Sequence, residues 1–233
     1  MRLPTPPPGP GGGVGPIDWD SVSARVILLT GPSGSGKSSL LRRLGVARLP
    51  LDDFYRGGHE PGMPLVGGGL SGPEPVQDPS GQIDWDHPAS WDRQAAMEAV
   101  LALCRRGAAR VPIYSIPDNA AVGQREMRLD PASPVLVAEG VFAAELVAPC
   151  RDAGVLADAL CLRRPRLQTW WFRLRRDLSQ HRKPPHILLT RGLRLSLEEP
   201  RRIAQWAAKG CRPVGAAQCE ARIRALMRGQ DRR

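Results

Sequence analysis

The fold is decided by one continuous stretch, which reads Arg25-Val26-Ile27-Leu28-Leu29-Thr30-Gly31-Pro32-Ser33-Gly34-Ser35-Gly36-Lys37-Ser38-Ser39-Leu40-Leu41. Its first six residues form a short and mostly apolar run, as expected of a strand that is buried on both faces of a parallel sheet. Residues 31–38 match the pattern G-x-x-x-x-G-K-[ST], and a helical segment follows them. A strand, a glycine-rich loop and a helix in this order predict a phosphate-binding loop (P-loop).

The residue types in this loop suit a phosphate chain with its magnesium ion. Glycines permit backbone conformations that turn successive N–H groups toward phosphate oxygens, and the N-terminus of the following helix adds partial positive charge. We expect Lys37 to contact the β- and γ-phosphates and Ser38 to bind Mg²⁺. The predicted nucleotide-binding residues are Gly31, Ser33, Gly34, Ser35, Gly36, Lys37, Ser38 and Ser39.

The 233 residues suit one α/β domain with a flexible tail. Residues 1–16 contain six prolines and five glycines, which predicts a disordered tail before a domain at 17–233. Short apolar segments alternate with helical ones, which favours a P-loop NTPase three-layer α/β/α fold around a mostly parallel five-stranded sheet. The segments expected to be extended are residues 25–29, 47–51, 111–114, 135–138 and 159–162.

Further helices are predicted after the first half of the domain. A helix is expected from Ser90, the candidate N-cap, to about Arg106, after a Gly- and Pro-rich loop at 56–82. A very basic segment predicts a helical lid at about 163–185. Two C-terminal helices are expected within about 197–229.

Positive charge is concentrated in the last third of the chain. Residues 160–233 hold 19 Lys and Arg against 5 Asp and Glu, and the whole chain carries a net charge of +10. Such a block attracts polyanions, but it lacks aromatic residues at stacking intervals, so a nucleic-acid partner is disfavoured. No apolar run reaches the ~20 residues that span a bilayer, and the start lacks a signal-peptide stretch. The sequence therefore predicts a cytoplasmic protein with no membrane partner, and a homo-oligomer is compatible with it.

Other motifs narrow the class of P-loop protein. The Asn-Lys-x-Asp motif of GTPases is missing, because the one asparagine, Asn119, is followed by Ala120. This favours small-molecule kinases, which need an acid near the γ-phosphate, an acceptor pocket and a cationic lid. Asp52 and Asp53 follow the second predicted strand, whose carboxyl end abuts the P-loop in a parallel sheet. A carboxylate there can accept the proton of an acceptor hydroxyl.

Five segments taken in chain order resemble the uridine kinase (uridine-cytidine kinase) family of P-loop kinases, which is related to phosphoribulokinase. They are residues 31–38, Asp52-Asp53-Phe54-Tyr55, Trp85-Asp86-His87-Pro88-Ala89-Ser90-Trp91-Asp92, Val111-Pro112-Ile113-Tyr114 and Val135-Leu136-Val137-Ala138-Glu139-Gly140-Val141. Together with a basic lid, they cover roughly residues 25–185.

This resemblance implies a role for each matching residue. Asp52 takes the place of the catalytic base, Tyr55 lines the acceptor site, and Asp86 accepts hydrogen bonds from ribose hydroxyls. Tyr114 lines the nucleobase pocket, and Glu139 orients Mg²⁺ through water. The residues predicted to be catalytic are Lys37, Asp52, Arg173 and Arg176, the two arginines belonging to the lid.

The predicted activity is transfer of a phosphoryl group from ATP, with Mg²⁺, to a hydroxyl of a uridine- or cytidine-like nucleoside. A first alternative is another acceptor on the same fold: a different nucleoside, a sugar phosphate or a vitamin precursor. A second alternative from another class is a nucleotide-regulated nucleic-acid-binding protein that uses the basic C-terminal third.

Overall fold

A five-stranded parallel sheet forms the centre of the molecule. The computed structural model describes residues 24–72, 82–164 and 199–229. The strands of the sheet are β1 (Arg25–Thr30), β2 (Arg48–Pro50), β5 (Val135–Glu139), β6 (Leu156–Leu162) and β7 (Arg212–Val214). Their order is β2-β5-β1-β6-β7, and every pairing between them is parallel. The predicted α/β class and its parallel five-stranded sheet are confirmed, but the fifth strand is β7, which the sequence does not predict, and not the segment at 111–114.

Helices cover both faces of this sheet because successive strand residues point to opposite sides. The helices are α1 (Lys37–Leu44), α2 (Arg93–Arg106), α3 (Val147–Asp152), α4 (residues 199–208) and α5 (Ala216–Met227). On β1, Val26 and Leu28 belong to the apolar cluster that includes α2, α3 and α4. Ile27 and Leu29 belong to the cluster that includes α1 and α5. Two cores therefore hold the sheet between helical layers.

A separate antiparallel hairpin lies beside the main sheet. It pairs β3 (Ala108–Ser115) with β4 (Ala120–Arg128). The sequence predicts only residues 111–114 as extended and does not predict β4. Most of β4 is exposed and carries charged and small residues, so it lacks the apolar alternation by which a strand is recognised. The hairpin packs against α2 and against the short 3₁₀ turn at Leu51–Phe54.

The predicted helix at 90–106 begins later than expected, and the N-cap assigned to Ser90 is wrong. Helix α2 begins at Arg93, and its N-cap is Asp92, whose carboxylate accepts a hydrogen bond from the Ala95 N–H at 2.9 Å. Ser90 instead closes a 3₁₀ turn, where its hydroxyl lies 2.7 Å from the carbonyl of His87. An aspartate at the N-cap also places a negative charge near the positive end of the helix dipole, an interaction that an uncharged serine cannot make.

The carboxyl ends of three strands lie side by side. In the register of the sheet, Glu139 at the end of β5 is opposite both Leu29 of β1 and Pro50 of β2. The segments that follow β1 and β2 therefore meet at one edge, where ligands bind in open parallel sheets. Within the described ranges, no helix has the length and apolar character needed to cross a membrane. The predicted tail at 1–16 and most of the predicted lid lie outside the described residues.

Candidate active site

The loop between β1 and α1 has the backbone shape of a phosphate cradle. Gly31, Gly34 and Gly36 have φ values of 146°, 83° and 87°, which L side chains rarely adopt. Gly31 is also crowded, because a Cβ atom there would lie 2.6 Å from the carbonyl oxygen of Leu162. Glycine at these positions thus lets the loop curl against β6 and direct its N–H groups inward, as an anion site requires.

Two polar side chains inside the loop fit a phosphate ligand. The buried Lys37 ammonium donates to the carbonyl oxygens of Gly31 at 2.8 Å and Pro32 at 3.3 Å. The Ser35 hydroxyl is buried and has no hydrogen-bond partner among the described residues. A buried hydroxyl without a partner is costly, and an oxyanion in the cradle would supply one. Of the other predicted nucleotide-binding residues, Ser33 is half-buried and Ser39 is exposed on the first turn of α1.

Ser38 and Glu139 bring hard oxygen atoms together below the loop. The Ser38 hydroxyl lies 2.8 Å from Oε1 of Glu139, and the same oxygen lies 2.9 Å from Nε of Arg48. Glu139 is 5 % exposed, so Arg48 stabilises a carboxylate that is otherwise cut off from water. A hydroxyl with one carboxylate suits Mg²⁺, which keeps several waters and uses few protein ligands. The two predicted metal residues thus fit the ion.

Asp52 lies on the 3₁₀ turn that follows β2, and its carboxylate faces Gly140 at the end of β5. A Cβ atom built on Gly140 would lie 2.9 Å from Oδ1 of Asp52 and 2.9 Å from Cβ of Leu51. Asp52 also accepts a hydrogen bond from the backbone of Val141. Its position between the segments after β2 and β5 is therefore set by close backbone contact rather than by a flexible ion pair.

The surroundings of Asp52 make its carboxylate more basic. Burial raises the pKa of Asp52 above its ordinary value, Glu139 and Asp53 raise it further, and the Lys37 ammonium lowers it. Asp52 is an exposed residue, but the walls of the cleft remove much of the hydration of its carboxylate, and this loss of hydration is the largest cause of the raised pKa. A more basic carboxylate is a better proton acceptor.

The neighbouring Asp53 differs, because its carboxylate faces the hairpin. Nη2 of Arg125 on β4 lies 3.4 Å from Oδ2 of Asp53. Burial raises the pKa of Asp53, and Arg125 lowers it. Asp52, and not Asp53, is thus the carboxylate that shares an electrostatic environment with the P-loop lysine.

An aromatic wall lies next to Asp52. The ring of Tyr55 lies 5.8 Å, between centroids, from each of Trp85, Tyr114 and Phe142, and Phe142 stacks on Trp91 at 5.4 Å. Burial raises the pKa of Tyr114 to about 12, and its hydroxyl is buried with no hydrogen-bond partner among the described residues. The structure therefore brings Tyr55 and Tyr114 together, and the buried Tyr114 hydroxyl can form a hydrogen bond with a polar group of a ligand.

Asp86 lies close to this wall but is held by a residue that sequence reasoning missed. Nη1 of Arg202 on α4 lies 3.1 Å from Oδ1 of Asp86, and Nη2 lies 2.9 Å from Oδ2. Burial and the Asp52 and Asp86 carboxylates raise the pKa of Tyr55, whereas Arg202 lowers it. All three charged groups thus lie around the Tyr55 hydroxyl. Nothing in the sequence singles out Arg202 among the many arginines of the C-terminal third.

The predicted lid arginines, Arg173 and Arg176, lie outside the described residues. The structure therefore brings together two groups of predicted residues. The phosphate group comprises the P-loop, Lys37, Ser38 and Glu139. The acceptor group comprises Asp52, Tyr55, Asp86 and Tyr114, to which the structure adds Arg202.

Comparison with known proteins shows which solved structures this fold resembles. No family model matches the sequence, and no curated protein matches it. A solved structure from Silicibacter sp. TM1040, described as a "putative fructose transport system kinase", is similar with a TM-score of 0.54 and 19 % identity over 78 % of this chain and 85 % of that one. A structure from Bacillus stearothermophilus, described as a "possible uridine kinase", has a TM-score of 0.42 and 18 % sequence identity, over 65 % of this chain and 77 % of that one. The chain thus has the α/β fold of the Silicibacter protein, in agreement with the predicted α/β fold.

Proposed function

We propose that the protein is a kinase that transfers the γ-phosphoryl group of ATP, in the presence of Mg²⁺, to a hydroxyl of a small acceptor. The observation that carries this proposal is the position of Asp52. Its carboxylate lies against Gly140 at the end of β5, the charges of Lys37 and Glu139 act on it, and its own charge acts on Tyr55 of the aromatic wall. A nucleotide-hydrolysing switch needs no such acceptor side.

Each residue has a distinct part in the proposed reaction. The loop N–H groups and Lys37 bind the phosphate chain and offset its charge, and Ser38 with Glu139 would hold Mg²⁺. When bound, Mg²⁺ neutralises charge on the β- and γ-phosphate oxygens. Asp52 orients the acceptor hydroxyl and takes its proton, a contribution of roughly 10²- to 10⁴-fold in rate. Arg173 and Arg176 stay predicted as lid cations.

A uridine- or cytidine-like nucleoside is the first acceptor candidate. Aromatic rings beside a carboxylate suit a base and a ribose, and the Tyr114 hydroxyl can bind a polar edge of the base. The second candidate is another small-molecule acceptor: a different nucleoside, a sugar phosphate or a vitamin precursor. The pairing of Asp86 with Arg202 supports this candidate, because a carboxylate that already has a partner is not reserved for two ribose hydroxyls and can bind other hydroxyl groups. A kinase of this kind would act in the cytoplasm.

The proposal is tested by coupled ADP release with the purified protein across nucleosides, sugars and small alcohols. We expect at least one acceptor to stimulate ADP release, and Lys37→Ala to abolish this turnover while the variant stays folded. Undiminished turnover in Lys37→Ala would contradict the role of the P-loop. ATP binding without any acceptor turnover, combined with nucleic-acid binding that weakens steeply with salt, would favour the nucleic-acid-binding alternative instead.

A further inference from the structure

The acceptor side of the cleft contains a charge pair that joins distant parts of the chain. Asp86 follows the predicted loop at 56–82, and Arg202 belongs to α4, 116 residues later. The two N–O contacts of 3.1 and 2.9 Å form a two-pronged guanidinium–carboxylate pair, the strongest geometry for these groups. The Arg202 side chain is 27 % exposed and that of Asp86 is 45 % exposed, so both remain within reach of a ligand.

In the part of the chain that the structure describes, Arg202 and Arg56 on the acceptor side are both paired with carboxylates, so neither is available to a phosphate group of the acceptor. The Arg202 charge is balanced by Asp86. Arg56, on the same side, lies 3.1 Å from Glu60 and donates to the carbonyl oxygens of Ala89 and Pro61. Glu60 in turn accepts from the Gly57 N–H at 2.7 Å. Both arginines are therefore neutralised by carboxylates in this structure.

A second carboxylate makes an anionic acceptor still less favourable. Asp52 must be ionised to accept a proton, and its charge acts on Tyr55 together with that of Asp86. A phosphorylated acceptor would bring about two more negative charges close to both carboxylates, which like charges in a partly desolvated cleft oppose. An uncharged acceptor meets no such repulsion, because its hydroxyls can donate to Asp86 and accept from Arg202 without separating the pair.

We infer that the Arg202–Asp86 pair makes the acceptor site select an uncharged, hydroxyl-bearing molecule over a phosphorylated one. The inference rests on the proposed kinase function and narrows its substrate class to nucleosides, free sugars and similar polyols. It assigns Arg202 as a specificity-determining residue and argues against the sugar phosphates among the alternative acceptors.

The test uses matched acceptor pairs that differ by one phosphate group. Uridine is compared with uridine 3′-monophosphate, and cytidine with cytidine 3′-monophosphate, because each pair keeps the primary hydroxyl free. The comparison uses kcat/KM in ADP release and calorimetric binding to the protein loaded with a non-hydrolysable ATP analogue. We expect the uncharged member of a pair to be favoured by about 100-fold or more in wild type. A preference for the phosphorylated member would overturn the inference and leave the kinase function standing.

Variants of the pair separate its role in selection from a structural one. Arg202→Gln should raise KM for the uncharged acceptor about 10- to 100-fold with little change for ATP, and Arg202→Lys should recover part of this loss. Asp86→Asn should shift selectivity toward the phosphorylated member, because it releases the guanidinium. Arg201→Gln is the matched control, since Arg201 is an exposed neighbour on α4.

The outcomes distinguish failure of the inferred selectivity from failure of the proposed kinase function. If no acceptor is turned over, the kinase proposal fails, and the calorimetric comparison of the same pairs decides the inference. Binding of the uncharged member that depends on Arg202 supports it. No binding of either member, or selectivity that is unchanged in both Arg202→Gln and Asp86→Asn while these variants keep their ATP-analogue affinity, overturns it.

Discussion

Substitution of Gly140 by alanine tests whether Asp52 is a catalytic base held by backbone contact. The added Cβ would lie 2.9 Å from Oδ1 of Asp52 and 2.9 Å from Cβ of Leu51. Ordinary contacts begin near 3.4 Å, so the carboxylate must move by about half an ångström or more. Leu51 is fully buried and cannot easily give way, which leaves the Asp52 side chain as the group that shifts.

We expect Gly140→Ala to lower kcat by about 10- to 100-fold. A reacting group that is misplaced by about 1 Å can lower the rate by about 10²-fold, and the shift expected here is somewhat smaller. KM for ATP should change little, since the P-loop is not touched by the new methyl group. Coupled ADP release under saturating acceptor measures kcat, and thermal unfolding shows whether the variant is folded. Overpacking against Leu51 should also lower the free energy of unfolding by about 1–3 kcal/mol.

Gly123→Ala is the matched control for this variant, because a Cβ at Gly123 meets no atom within 4 Å and its backbone is not in the left-handed region. The control should keep wild-type turnover. A Gly140→Ala protein that turns over at about the wild-type rate would refute the placement of Asp52 as a base whose position is fixed by Gly140.

Two further substitutions probe the charges of the site. Asp52→Asn should lower kcat by roughly 10²- to 10⁴-fold with KM for ATP nearly unchanged, and it should raise Tm at pH 7. The folded protein holds the Asp52 proton more tightly than the unfolded chain, so the stability of the wild type falls as pH rises from about 3.9 through the raised pKa. The variant has no carboxyl group at this position and lacks this loss. A pH series of Tm in which the variant shows no gain over the wild type at neutral pH contradicts the raised pKa. Glu139→Gln should raise the Mg²⁺ concentration for half-maximal activity about 10- to 100-fold, which a Mg²⁺ titration measures, and an unchanged titration would remove Glu139 from the metal site.

The phosphate half of the site is predictable from sequence because it is local. Residues 31–38 need glycines at positions whose φ values are positive, and Lys37 and Ser38 follow at a fixed spacing on α1. Asp52 and Glu139 are also predictable in position, because Glu139 ends β5, Asp52 closely follows the end of β2, and parallel strands align their carboxyl ends. These inferences need only the local sequence and one topological rule.

The parts that sequence reasoning missed depend on contacts between distant segments. The pairing of Asp86 with Arg202 joins residues 116 positions apart, and neither residue carries a local pattern that names the other. Strand β4 was missed because an exposed strand in a two-stranded hairpin needs no apolar face. The wrong N-cap at Ser90 arose because Ser90 and Asp92 are both good caps, and only the 3₁₀ turn decides between them.

The two halves of the site therefore differ in what fixes them. The phosphate half is fixed by backbone shape, since a Cβ at Gly31 would lie 2.6 Å from a main-chain oxygen of β6. The acceptor half is fixed by side chains that the sheet brings together from separate segments, Tyr55, Asp86 and Arg202 among them. Side-chain pairs can be exchanged without disturbing the sheet, whereas the loop cannot change shape without losing the cradle. Acceptor choice can thus vary on a constant phosphate-transfer machinery, and for this chain the Arg202–Asp86 pair is the element to which that choice is assigned.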